Sequence, residues 1–325
     1  MRRALLYVIT VYASAPVVLY LFPWILGHII FSHLLRFPFF VDLSRPELVL
    51  NHTCNFYLNT DEGVSVGVWH TLPASQWEEA AGKRPEWYRE TLKDGNPVII
   101  YLHGNLGTRW DESSIEVILS AAGYHVLSLD YRGFGDSTGE PSEAGLTSDA
   151  LYLYQWVKVH SRGGLVCLWG HSLRHRVSFS ANHRIDMGAP KTPRSVADAL
   201  ILEAPYTRMR DVVDSHVIAK MYLFVPGIQN LLWDILDRNN IEFANDENLK
   251  TVTSPLLILH AEDDNIVPHH MGLKLYQISL QARKKTETDA QVEMISNSAR
   301  RGFSHNGHLL GPQSVRRGWE LQASR

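Results

Sequence analysis

The chain has 325 residues, 45% apolar and 20% charged, which fits one large globular domain or two small ones and excludes a disordered or fibrous chain. Its 31 basic and 34 acidic residues leave a net charge of −3, and without a basic excess no nucleic-acid partner is indicated. The two cysteines, Cys54 and Cys167, cannot make a disulfide framework, and Cys167 lies in an apolar run where it reads as a small core residue.

The N-terminus departs most from average composition. No Lys, Arg, Asp or Glu occurs from Ala4 to Leu35, which exceeds the roughly 20 apolar residues a membrane-spanning helix needs. Arg2 and Arg3 precede the run, Arg36 follows it, and Tyr7, Tyr12, Tyr20 and Trp24 suit interface depths. Pro16 and Pro23 would kink such a helix without excluding it. Residues 1–40 are therefore expected to be an N-terminal transmembrane anchor, followed by the main domain over 41–325. A cleaved signal peptide is the rival, with Ala13-Ser14-Ala15 as the cleavage site. Pro16 just after the cut and the length of the run oppose it. A buried core helix is opposed by apolar residues all round. Asn51-His52-Thr53 is a glycosylation sequon, used at Asn51 only if the main domain is lumenal or extracellular. Arg2 and Arg3 on the cytoplasmic side agree with that orientation.

Beyond the anchor, residues 55–58 and 64–69 predict a hairpin around Thr60-Asp61-Glu62-Gly63. Residues 75–95 are polar, with Trp77, Trp87 and Tyr88 suggesting a loop or helix packed on the surface. Strand-like runs then alternate with helix-length segments. VIIYL at 98–102 precedes a helical pattern at 115–122. HVLSL at 125–129 precedes another at 144–159. LVCLW at 165–169, residues 200–202, LLIL at 256–259 and residues 292–295 are further strands. Short continuous apolar strands between helices predict an α/β fold whose mostly parallel sheet is covered on both faces. Ligands of such sheets bind at the carboxyl ends of the strands, and the chemically interesting residues follow the strands directly.

Gly170-His171-Ser172-Leu173 follows the third of these strands. Strand then Gly-x-Ser is the nucleophile-elbow arrangement, in which a sharp turn lifts a serine hydroxyl above the sheet edge. An ordinary strand–helix loop serine is the bland alternative. His260 to Pro268 follows a late strand, where an acid could orient a catalytic histidine; Asp264 is the better candidate and Asp263 the reserve. A histidine should come last, since the chain order in elbow-bearing sheets is Ser, acid, His. His305 is the expected general base and His308 the alternative. Singly these would be surface residues; their order gives them weight. The glycine-rich His103-Gly104-Asn105-Leu106-Gly107 follows the first central strand, so the N–H groups of Asn105 and Leu173 are the expected oxyanion donors. Asp130-Tyr131-Arg132-Gly133-Phe134-Gly135-Asp136-Ser137 reads as scaffold at the site floor. Neither nucleotide-binding glycine pattern is present, and no His/Cys cluster has metal-ligand spacing, so neither cofactor nor metal is expected.

Together these motifs resemble the α/β-hydrolase superfamily. Asn51–Tyr57, Gly67-Val68-Trp69-His70-Thr71, Leu202-Glu203-Ala204-Pro205-Tyr206-Thr207 and Phe243-Ala244-Asn245-Asp246-Glu247-Asn248 are closer still to the family of abhydrolase-domain-containing proteins 12 and 12B. The likeness runs from about residue 16 to residue 283, with one gap. The resemblance implies a single-pass endoplasmic-reticulum membrane protein with a lumenal catalytic domain. It implies hydrolysis of lysophospholipids, lysophosphatidylserine above all, and of monoacylglycerols. Carried over by position, it puts the nucleophile at Ser172, the acid at Asp264 and the base at His305. The stretch 206–248, rich in Leu, Phe, Trp and Val, is expected to form a cap over an acyl chain.

The chain departs from the family pattern after the elbow. The family continues Gly-His-Ser-Leu-Gly-Thr-Gly, whereas Leu173-Arg174-His175-Arg176 stands here. Arg174 brings bulk and charge to a helix–strand contact, at a desolvation cost of several kcal/mol if buried unpaired. Residues 174–194 read poorly as the next helix, and the tail beyond Asn306 is also unlike the family. The expectation is a serine esterase or lipase; the alternative is a catalytically impaired hydrolase fold acting as a lumenal binding protein.

Overall fold

The apolar runs pair into one eight-stranded sheet in the computed structural model, which describes residues 2–34, 41–60, 62–105, 107–110, 113–172, 197–287 and 290–305. The strands are β1 Thr53–Asn59, β2 Ser65–Thr71, β3 Val98–Leu102, β4 His125–Asp130, β5 Val166–His171, β6 Ala199–Glu203, β7 Leu256–Ala261 and β8 Val292–Asn297. Their order is β1-β2-β4-β3-β5-β6-β7-β8. The hairpin β1–β2 and the β2–β4 pair are antiparallel, and the remaining pairs are parallel. The mostly parallel sheet is the one the alternating runs predict, and the fold is the α/β-hydrolase type that the motif resemblance implies.

Period-two geometry divides the strand side chains between two cores. Val98, Ile100 and Leu102 join one cluster with Leu168, Leu202 and Ile258. Ile99 and Tyr101 join the other with Trp169, Ile201 and Leu259. Helix α5 (Glu143–His160) covers the first face through Leu146, Leu153 and Val157, and α4 (Ser113–Ala121) covers the second through Ile115 and Leu119. Each such side chain taken from water contributes about 1.5–3 kcal/mol before conformational entropy is counted. The 75–95 stretch holds helix α3 (Pro85–Thr91), whose Tyr88 is buried against Cys54 and Leu72.

The N-terminal run forms two helices, α1 (Arg2–Leu21) and α2 (Trp24–Phe31). Among the described residues no single helix is long and apolar enough to cross a membrane; Tyr12–Leu21 and Trp24–Phe31 reach that length only together, across a 104° bend. The bend falls at Pro23, whose ring cannot continue the helical hydrogen bonding. Ile30 and Phe31 are buried in the main core. Within the expected cap lie α6 (Met209–Ser215), α7 (Val217–Leu223) and α8 (Ile228–Arg238), then the short α9 (Asn245–Asn248). Helix α10 (His269–Thr286), between β7 and β8, is absent from the sequence-based expectation.

Candidate active site

The chain runs from β3 outward to β4 and then returns to β5 on the other side of β3. That reversal opens a crevice at the carboxyl ends of β3 and β5, where ligands of open α/β sheets bind. Ser172 sits at the tip of β5 with φ +53°. This left-handed conformation costs a non-glycine residue on the order of 1–3 kcal/mol and clusters at functional sites. The loop after β3 lies against it: a Cβ on Gly104 would come within 2.8 Å of His171 Nδ1 and 3.5 Å of the Ser172 Cβ.

The structure brings Ser172, His305 and Asp264 together from three separate loops. Ser172 Oγ is 2.7 Å from His305 Nε2, and His305 Nδ1 is 2.8 Å from Asp264 Oδ2. In the neutral imidazole, Nδ1–H donates to Asp264, which leaves Nε2 to accept from the serine hydroxyl. All three side chains are buried. Asp264 Oδ1 accepts the backbone N–H groups of Ile266 at 2.9 Å and Val267 at 2.8 Å. Burial opposes the Asp264 charge, but hydrogen bonds from His260, His305 and the Val267 backbone outweigh it and hold the carboxyl well below its ordinary range. His260 Nε2 donates to the Val267 carbonyl at 2.9 Å and lies 3.4 Å from Asp264 Oδ2.

Asp263, the reserve acid, accepts the Ser304 N–H at 3.1 Å, while Ser304 Oγ donates to Asn265 Oδ1 at 3.2 Å. The acid loop thereby holds the backbone just before His305. His171 Nε2–H donates to the His305 carbonyl at 3.2 Å and holds it from the other side. Asn105 lines the cavity beside Ser172 and His305. Leu173, Arg174 and His308 lie outside the described residues. Asn51 is exposed just before β1, whereas Thr53 of its sequon is buried and bonded to Thr71 Oγ1 at 2.8 Å.

The sequence model of the α/β-hydrolase fold matches residues 97–173, from β3 to the residue after Ser172. A lysophosphatidylserine lipase ABHD12 of Danio rerio is 42% identical over 317 residues, covering 96% of this chain and 81% of that protein. A protein of the same name from Xenopus tropicalis is 44% identical over 316 residues, covering 96% and 80%. Human protein ABHD12B is 45% identical over 281 residues, covering 86% and 75%.

The chain belongs to the ABHD12 family.

Solved structures share the fold at low identity. The Pyrococcus furiosus esterase Pf2001 superposes with TM-score 0.58 at 16% identity, covering 87% of this chain and 94% of its own. Est1E from Butyrivibrio proteoclasticus, with ferulic acid bound, gives 0.57 at 16%, covering 83% and 100%.

Two further features shape the site of this ABHD12-family chain. The first is an ion cluster centred on Arg109, which follows the glycine-rich loop after β3. Arg109, fully buried, is 2.6 Å from Asp130 Oδ2 and 2.8 Å from Asp136 Oδ1. Its backbone N–H donates to Asp130 Oδ1 at 2.6 Å, and its Nη2 donates to the Leu43 carbonyl and Asn55 Oδ1 at 3.1 Å each. Burial disfavours the guanidinium charge, and Asp130 and Asp136 more than offset it. The segment 130–137, expected to be scaffold, thus supplies both carboxylates of the cluster. Gly67 on β2 makes room: a Cβ there would lie 1.9 Å from Arg109 Nη1.

The second is a cavity of about 530 Å³ whose lining includes Ser172 and His305 and is otherwise mainly apolar. Its size falls within the roughly 300–1,000 Å³ of small-ligand pockets. One wall comes from the cap, including Met209, Val213, Leu231 and Leu232, and another from the N-terminal helices. An apolar cavity lined by a serine hydrogen-bonded to a histidine can hold an acyl chain with its carbonyl near the hydroxyl.

Proposed function

We propose that this chain is a serine hydrolase that cleaves the carboxylic ester of single-chain lipids, lysophospholipids of the lysophosphatidylserine type and monoacylglycerols. The observation that carries it is the Ser172–His305–Asp264 hydrogen-bond chain opening onto the apolar cavity. The names of its relatives supply the head-group class. Ser172 Oγ attacks the ester carbonyl as His305 Nε2 takes its proton, and Asp264 stabilises the imidazolium. The N–H groups of Asn105 and Leu173 receive the oxyanion, each contributing about 3–4 kcal/mol to the transition state. His305 then gives the proton to the departing alcohol, leaving an acyl-serine. Water, deprotonated by His305, attacks the acyl carbonyl; the fatty acid leaves and Ser172 regains its proton.

We propose further that residues 1–40 hold the chain in the endoplasmic-reticulum membrane as a single-pass anchor, with the catalytic domain lumenal and Asn51 glycosylated. The uncharged run from Ala4 to Leu35, Arg2 and Arg3 ahead of it, and the exposure of Asn51 support this orientation.

Arg174, in place of the family glycine, favours a second reading in which the fold binds lipid without cleaving it. Fatty-acid release from lysophosphatidylserine and monoacylglycerol in vesicles, by the full chain and by Ser172→Ala, separates the two. Release that disappears in the variant is expected. A folded chain that releases nothing from either lipid leaves only the binding protein.

A further inference from the structure

We propose that the N-terminal helix pair is one wall of the acyl pocket and sets the chain lengths the site accepts, a function separate from anchoring. This rests on the lipid-ester reading above and adds which residues measure the chain.

The wall is built from both helices. Helix α1 contributes Ala15, Pro16 and Leu19, and α2 contributes Leu26, Ile29 and Ile30. Ala15 and Leu19 are four residues apart and so share one helix face. Val212, Ile218, Tyr222 and Leu231 of the cap helices line the same cavity. An acyl chain leaving Ser172 must therefore pass between the N-terminal helices and the cap.

The helix pair is docked on the cap by specific contacts from Tyr12 to Phe31. Tyr12 stacks on Tyr222 with ring centroids 4.4 Å apart and planes 8° from parallel. The Arg238 guanidinium lies over the Tyr20 ring at 5.3 Å. Asn239 Nδ2 donates to the Pro23 carbonyl at 2.9 Å, catching the chain at the bend. A Cβ on Gly27 would sit 3.2 Å from Asn239 Oδ1, so a glycine lets α2 approach this closely. Phe31 packs on Phe243 at 6.3 Å, and both are buried. A helix that only tethers a domain to a bilayer needs none of these contacts. Ala15 and Pro16 are small, and the space they leave belongs to the cavity, so bulk introduced at this wall takes volume from the acyl chain. Each methylene excluded from an apolar site costs about fourfold in binding, so blocking a few of them costs tenfold or more.

The test uses the full chain with monoacylglycerols carrying octanoyl or palmitoyl chains. Leu19→Trp and Ala15→Trp are expected to lower the palmitoyl-to-octanoyl ratio of kcat/KM at least tenfold. Leu19→Ala, which removes bulk, moves the ratio the other way and covers the case of a tryptophan variant that does not fold. Val17→Trp is the control: Val17 is 56% exposed and is not among the cavity-lining residues, so it leaves the ratio where it is. In a Ser172→Ala background, displacement of a fluorescent fatty acid by octanoate and by palmitate reads the pocket without the chemistry. A ratio unchanged in Leu19→Trp, Ala15→Trp and Leu19→Ala overturns the proposal, as does a ratio that Val17→Trp moves equally. If the parent chain releases no fatty acid but Leu19→Trp still weakens palmitate binding selectively, the hydrolase reading fails and the wall stands.

Discussion

Asp264→Asn is expected to lower kcat by roughly 10³–10⁴-fold, the scale seen when the orienting acid of a serine triad is replaced by its amide. An asparagine oxygen can still accept the Ile266 and Val267 N–H groups that Asp264 Oδ1 accepts now. Its NH₂ would then face His305 Nδ1, where Asp264 Oδ2 stands at 2.8 Å. A donor there forces His305 into the tautomer with its proton on Nε2, and that nitrogen can no longer take the Ser172 proton. Stability should change with a definite pH dependence. The Asp264 pKa is depressed in the folded chain, so its ionised form contributes stability that is fully present above the unfolded value of about 3.9. That contribution is lost as pH falls through the lower folded value. The variant should therefore melt below the parent at neutral pH, and the difference should shrink in acid. Single-turnover acylation at pH 7 and thermal melts between pH 3 and 7 check the two parts. A variant that keeps a tenth of the parent rate would move the acid role to another group, with Asp263 the first to examine.

Arg109→Met should cost about 3–5 kcal/mol of stability, because it leaves Asp130 buried without its cation. Asp130 is fully buried, and burial pushes its carboxyl up to about 6 even with Arg109 beside it. The substitution also removes donors to Asp136, Leu43 and Asn55 and the stacking of the guanidinium over Trp69 at 5.8 Å. The double variant Arg109→Met with Asp130→Asn should recover a substantial part of the loss, since no buried charge is then stranded. By contrast, cutting the exposed Arg210–Asp237 pair should cost under about 1 kcal/mol. Urea unfolding of the four proteins measures these differences. An Arg109→Met loss below 1 kcal/mol would contradict the account of the cluster.

Much of the sheet was legible because its strands are short continuous apolar runs between turn residues. Residues 98–102 and 125–129 fall on β3 and β4 to within a residue, and both strands are buried along their whole length. Ser172, Asp264 and His305 were legible through chain order and strand context, which local sequence carries. What escaped depends on contacts between distant residues. Helix α10 shows little contrast between its faces because it carries His269, His270 and three basic residues near its end. Arg109 looks like any loop arginine until β2, β4 and the 130–137 turn close around it. The bracing of His305 by His171, and of Asp264 by His260, depends on loops that meet only in the fold. Glu116 reads as the polar face of a helix, yet it is buried, accepts from Thr71 at 3.1 Å and from Ser128, and is pushed up to about 7 by burial. The N-terminal run carries no Lys, Arg, Asp or Glu on any face, so its sequence cannot show which side meets the cap; Tyr222 and Asn239, about 200 residues away, determine that. The departures at Arg174 to Arg194 and beyond Asn306 fall outside the described residues, and their effect is a matter for chemistry.

The most direct measurement is labelling of the full chain with a fluorophosphonate, which captures only an activated serine. Labelling of the parent chain, absent from Ser172→Ala, is the predicted result and would show that Arg174 leaves the elbow working. A chain that melts cooperatively but takes no label would contradict the triad as an active site; restoration of labelling by Arg174→Gly would then place the fault at that residue.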